Sequence, residues 1–123
     1  MSENQVQWNA NTVIYNYNDE ADFAYLLIEG EVLIKSKNGK KVGFINKNEI
    51  FGEQSILLGT NRTVSAIALK NSTAIQIPKE KLIKEFQDTS ILIKAVLRST
   101  YLRLTNLDST IKNDLDSLEN FDK

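Results

Sequence analysis

From residue 51 to residue 66 the chain reads FGEQSILLGTNRTVSA, and these residue types suit the capture of a phosphate joined to a sugar. Gly52, between Phe51 and Glu53, lets main chain approach a ligand closely because it has no Cβ. A short helix beginning near Gln54 and passing through Ser55 would direct the N–H groups of its first turn toward an anion. Arg62 follows nine residues after Glu53, and its planar guanidinium can pair with two phosphate oxygens at once. Glu53 offers a carboxylate to sugar hydroxyls. Thr63 and Val64 come directly after the arginine. Taken singly, each residue also has a plainer use. Arg62 can sit on the surface or balance Glu53, Gly52 can serve a turn, and Thr63 suits any strand.

A frame of short strands must hold this segment. Residues 12–15, 25–28, 31–35, 41–45, 64–69 and 73–77 are rich in β-branched and aliphatic side chains and read as strands. Asn18-Asp19, Asn38-Gly39 and 46–48 carry turn chemistry between them. Asn38-Gly39 between two strands predicts a type I′ hairpin. Short strands at regular spacing imply a sandwich or a barrel. Trp8 precedes the first of these strands and reads as a packing anchor for a polar N-terminal segment, 1–10.

Pro78 marks the change from strand to helix. Over 79–87, Leu82, Ile83 and Phe86 share one face. Asp88-Thr89-Ser90 breaks that helix and supplies N-cap candidates for a second, long one over 90–118. Its apolar positions Leu97, Tyr101, Leu104, Ile111, Leu115 and Leu118 alternate steps of four and three, with Asp108 in the remaining heptad place. The stripe predicts a homodimer through a coiled coil, or else one amphipathic helix lying on its own domain. Residues 119–123 are expected to fray.

Composition removes several function classes. The chain of 123 residues is the size of one domain, with 41% hydrophobic residues to build a core. Its net charge of −1 gives no basic field for nucleic acid. It has no cysteine and no histidine, so thiolate and imidazole metal sites and the commonest general base are missing. No apolar run approaches the ~18 residues of a membrane span, so no membrane partner is expected. The N-terminus lacks the regions of a signal peptide, which makes a cytoplasmic protein the default expectation.

The segment FGEQSILLGTNRTVSA resembles the phosphate-binding cassette of cyclic nucleotide-binding domains: Phe-Gly-Glu, an apolar turn, a short loop, then Arg and a small residue. Upstream, NTVIYNYNDEADFAYLLIEGEVLI is similar to that family's entry hairpin, with Tyr25, Ile28 and Gly30 in the matching places. Together the matching segments run from about residue 11 to about 107. The resemblance implies a mainly β fold with C-terminal α structure: an antiparallel β-roll or jelly roll (a double-stranded β-helix) over 11–78, then a short helix and a long C-terminal helix over 79–118.

The resemblance also assigns roles. Arg62 would pair with the cyclic phosphate, Glu53 would accept the ribose 2′-OH, and Ser55 would offer its backbone N–H to the phosphate. Thr63 would reach the guanine amino group, which hints at tolerance of cGMP as well as cAMP. Arg103, rather than Arg98, would reach the ligand from the long helix. The chain departs from the family pattern at five places: Asn18 and Asn48 stand for glycines, Asn61 for proline, Gln54 for an aliphatic residue and Ser55 for alanine. Asparagine tolerates left-handed backbone, so the turns at 18 and 48 can survive. The helical region that usually precedes the first strand is expected to be short or absent, and no helix-turn-helix is expected after the long helix. The expectation is a non-catalytic sensor of cAMP or cGMP without metal or cofactor, cytoplasmic, dimeric, and signalling to a separate effector as the helix after Pro78 closes over the base like a lid and the dimer rearranges. The alternative is a ligand-free interaction module of the same fold.

Overall fold

The structure, a computed structural model, describes residues 4–100. Within residues 4–88 eight strands precede and flank two helices: β1 (Gln5–Trp8), β2 (Val13–Tyr15), β3 (Phe23–Glu29), β4 (Val32–Lys35), β5 (Lys41–Ile45), β6 (Ile50–Phe51), α1 (Glu53–Leu58), β7 (Ser65–Ala68), β8 (Ser72–Pro78) and α2 (Lys79–Asp88). Every pairing is antiparallel. One four-stranded sheet has the order β1-β8-β3-β6 and the other β2-β7-β4-β5. This is the expected mainly β roll with α structure toward its C-terminal side.

Side-chain size explains how the sheets close. Tyr25, Leu27, Phe51 and Ala74 from the first sheet meet Tyr15, Val32 and Ala66 from the second. The alanines are fully buried and leave room for three aromatic rings, so large groups face small ones across the sheets. Tyr25 stacks on Phe51 with centroids 5.2 Å apart, and Trp8 meets the edge of Tyr25 at the same distance. The central strand β3 is covered on both faces. Tyr25 and Leu27 face the second sheet, whereas Ala24 packs with Ala21 and Ile56 beneath Leu82 and Ile83 of α2. That double burial is why FAYLLIE reads as a nearly continuous apolar run.

Three expectations change. The polar lead 1–10 contains a strand, since β1 pairs with β8 from Gln5↔Ile75 to Trp8↔Ser72. Its alternation sends Val6 and Trp8 to the core and leaves the glutamines outward, a period-two signal that polar composition hides. Trp8 is indeed a packing anchor, but from within a strand. The turn at Asn38-Gly39 is not type I′, because Gly39 has φ 83° and Asn38 has no positive φ. Gly39 N–H donates to Ser36 O (2.9 Å) and Ser36 N–H to Lys40 O (2.8 Å), which gives a three-residue loop, while the Ser36 hydroxyl accepts from Asn38 and Lys40. Finally, β6 is a two-residue strand opposite Tyr25 and Leu26 that opens the 51–66 segment.

The asparagines at 18 and 48 take left-handed backbone, with φ 74° and 71°, and Asn11 does so too at 72°. Gly30 has φ 105°, and a Cβ there would lie 2.1 Å from the Ser72 hydroxyl. The chain divides after Asp88. In the second unit Ser90 is the N-cap: its hydroxyl accepts from Ile93 N–H (3.1 Å), and helix continues over 91–100. Leu97 lies in that helix. Tyr101, Arg103, Leu104, Asp108, Ile111, Leu115, Leu118 and the tail 119–123 lie outside the described residues. Among the described residues no helix is long and apolar enough to cross a membrane.

Candidate functional site

The main chain of the 51–66 segment is shaped by two left-handed residues. Gly52 (φ 80°) is the N-cap of α1 and Gly59 (φ 72°) its C-cap. A Cβ on Gly52 would stand 3.0 Å from Arg62 Nη1 and 3.4 Å from the Phe23 carbonyl, so the glycine admits the arginine as well as the turn. Ser55 and Ile56 are buried on the body side of α1, and Glu53 sits in its first turn, where a carboxylate favours the helix dipole. Arg62 is held by its own backbone: its N–H donates to Asp19 O (2.8 Å) and its carbonyl accepts from Asn18 N–H (2.7 Å). This double latch fixes the main chain next to Asn61, the residue that stands in place of the family's proline.

Arg62 is only 4% exposed. Nη1 donates to the Gly52 carbonyl at 2.6 Å, and Nη2 donates to the Phe23 carbonyl. The guanidinium carbon lies 3.9 Å from the centre of the Tyr15 ring, a cation–π contact out of water. Nε is buried without a hydrogen-bond partner. No ion pair joins Arg62 to Glu53; among the described residues the ion pair is Lys81–Glu85. The buried cation is held by carbonyl dipoles and a ring face with Nε unpartnered, an arrangement suited to receive an anion.

Eight of the nine candidate residues line one cavity of about 170 Å³: Phe51, Gly52, Glu53, Gln54, Ser55, Arg62, Thr63 and Val64. The ninth, Arg103, lies outside the described residues. Tyr15, Ile34, Ile45 and Ile50 complete the lining, and the sequence reading did not single them out. Burial pushes the Tyr15 phenol up to about 12, against the pull of Arg62 and with a further push from Glu53. Tyr15 therefore offers a neutral ring to the guanidinium. α2 contributes no residue to the lining. It packs behind α1 instead, through Leu82, Ile83 and Ile56. Among the described residues no group of three or more His, Cys, Asp or Glu side chains could hold a metal ion.

Comparison with known proteins agrees with this geometry. The chain is 30% identical over 101 residues to the lysophospholipase NTE1 of Phaeosphaeria nodorum, a match covering 76% of this chain and 7% of the relative. The EAL enzyme Bd1971 in its cGMP-bound form aligns with a TM-score of 0.77 and 25% identity, over 94% of this chain and 32% of that one. The regulatory subunit of a cAMP-independent protein kinase A from Trypanosoma brucei shares the fold at TM-score 0.59 and 19% identity, over 61% of this chain and 28% of that one. The chain thus spans a small part of the lysophospholipase and about a third of Bd1971. The family model for the cyclic nucleotide-binding domain matches residues 5–89, which include both sheets, the cavity and α2, and the chain belongs to that family.

Proposed function

We propose that this domain is a regulatory sensor that binds cAMP or cGMP in the Arg62 cavity and acts by binding rather than by catalysis. One observation carries the reading: Arg62 is buried on the cavity wall with Nε unpartnered and in no ion pair with a carboxylate. A cyclic phosphate supplies the missing anion, and Glu53 on the same wall suits the ribose hydroxyl. The cavity, at about 170 Å³, is smaller than the ~300 Å³ common for small-ligand sites. It suits the phosphate and ribose, with the base standing at the mouth near Thr63, which is exposed. Ligand contacts at the start of α1 would pull on Ile56 and, through it, on Leu82 and Ile83 of α2. In this reading α2 relays the change rather than covering the base, and dimerisation through Leu97 and the apolar positions beyond it carries the output to a separate effector. For ligand to drive such a change it must favour one arrangement of α1 and α2 over the other.

Thermal unfolding with each nucleotide tests the reading. At 100 times the dissociation constant the ligand adds about 2.7 kcal/mol of stability. Arg62→Ala should abolish the shift, and Thr63→Ala should weaken cGMP more than cAMP. No shift at millimolar nucleotide favours a second reading, a ligand-free interaction module. Its support is also specific: Arg62 already donates to the Gly52 and Phe23 carbonyls, and one relative of the same fold is described as cAMP-independent.

A further inference from the structure

Arg62 does not hold itself in place. Its N–H donates to the Asp19 carbonyl at 2.8 Å and its carbonyl accepts from Asn18 N–H at 2.7 Å, so the loop over 16–19 sets where the arginine stands. Asn61, the residue before it, is exposed and has a φ that no proline ring fixes. The loop is a turn. Asp19 N–H donates to the Asn16 carbonyl at 3.1 Å, and Asn18 takes the positive φ (74°) that the third residue of such a turn supplies as asparagine or glycine.

All four N–H groups of the turn have acceptors. Those of Asn18 and Asp19 donate to the Arg62 and Asn16 carbonyls. That of Tyr17 donates to the Ser65 hydroxyl at 2.8 Å, and that of Asn16 to the Asp19 carboxylate at 2.9 Å. Ser65 thus ties the turn to the start of β7, and Asp19 closes the turn on itself. Asp19 also acts in two directions. Its main chain accepts from Arg62. Its carboxylate holds Asn16, which directly follows Tyr15, and the Tyr15 ring lies 3.9 Å from the guanidinium carbon. One residue therefore fixes the main chain of the arginine and the end of the strand that carries its ring.

The fold has little need of that carboxylate. Asp19 is exposed, and among the described residues the ion pair is Lys81–Glu85. An exposed N–H set free at Asn16 can turn to water, so its loss costs little stability. A binding site is less forgiving, since its groups must be held to within about 0.5 Å. We propose that Asp19 is a positioning residue for Arg62. It does not line the cavity, and its carboxylate closes the Asn16–Asp19 turn and so seats the guanidinium against the Tyr15 ring, ready for an anion. The proposal rests on the reading of Arg62 as the anion site. A plain loop brace would change stability alone.

The test compares the whole chain as wild type, Asp19→Ala, Asp19→Asn and Ser65→Ala. Calorimetry reads cAMP and cGMP affinity, and nuclear magnetic resonance without nucleotide reads solvent exchange of the Arg62 Nε–H. Asp19→Ala should weaken nucleotide binding by about tenfold. It should also speed exchange at the buried Arg62 Nε, while the Leu27 N–H, donated to the Glu49 carbonyl at 2.9 Å, keeps its slow exchange. Asp19→Asn keeps an acceptor for Asn16 and should restore both quantities to within about twofold of wild type. Ser65→Ala removes the other side-chain acceptor, should shift both in the same direction, and serves alone if Asp19→Ala does not fold. Unchanged affinity and Nε–H exchange in Asp19→Ala, or equal acceleration at Leu27, overturn the proposal and leave Asp19 a loop brace. A wild type that binds neither nucleotide overturns the sensor reading instead, and exchange at Arg62 Nε then decides the positioning by itself.

Discussion

On one side of α1, Ile56 packs among Ala21, Ala24, Leu82 and Ile83, with no polar group to satisfy. Facing the cavity, Glu53 of the same helix stands near Arg62 from the following loop, where a buried cation leans on two carbonyls and a ring. Both sides belong to a helix of six residues. The dry side gains free energy from burial whether or not a ligand is present. The charged side holds its polar groups only partly satisfied, which costs folding free energy and leaves it for binding to recover. Because one short helix carries both, strain relieved on the charged side reaches the dry side without a long path.

The comparison can be broken from either side. The largest expected effect is on the charged side: Arg62→Ala should weaken nucleotide binding by roughly 2–5 kcal/mol, at least tenfold, read by calorimetry. Unchanged affinity would remove the charged side from the binding site. On the dry side, Ile56→Ala should lower unfolding free energy by about 2–4 kcal/mol in denaturant titration, as the lost methylenes leave a cavity under α2. An equal loss of affinity and stability there would show the two sides acting as one.

Tyr15 gives a pH test of the ring beneath Arg62. Its phenol titrates near 10 in the unfolded chain and at about 12 when folded. A raised pKa means that the folded state holds the proton more tightly. Stability is therefore whole below pH 10 and falls as pH climbs toward 12, by about 3 kcal/mol for a shift of this size. Tyr15→Phe should flatten that alkaline fall while keeping the ring face. The smallest expected effect is Gly52→Ala, about 1 kcal/mol of stability from a Cβ at positive φ. It sharpens the comparison if affinity falls by more than stability, since that Cβ would press on Arg62 Nη1.

The charged side was legible in sequence because its residues are contiguous: eight candidates between 51 and 64 line one cavity. What escaped notice was what reaches it from elsewhere. Tyr15 arrives from β2, and Phe23 contributes a carbonyl, a group every residue has and no side chain announces. The left-handed turns at Asn18 and Asn48 were legible because asparagine tolerates that backbone. The Asn38-Gly39 hairpin was read with the wrong turn, since the Ser36 hydroxyl captures the Asn38 and Lys40 N–H groups and favours a longer loop. β1 was passed over because glutamine dominates its composition, although its alternation was in plain view. The heptad from Leu97 onward lies mostly outside the described residues.

The latch between Arg62 and the Asn18-Asp19 turn bears on protein engineering. A graft of residues 51–66 into a foreign scaffold would carry Glu53 and Arg62 but leave behind the turn that grips the arginine's backbone, the Phe23 carbonyl and the Tyr15 ring. The guanidinium would arrive without its seat. The seat draws on residues from Tyr15 to Val64 and is braced by strands on either side of that stretch in both sheets, so this site travels as a domain rather than as a peptide.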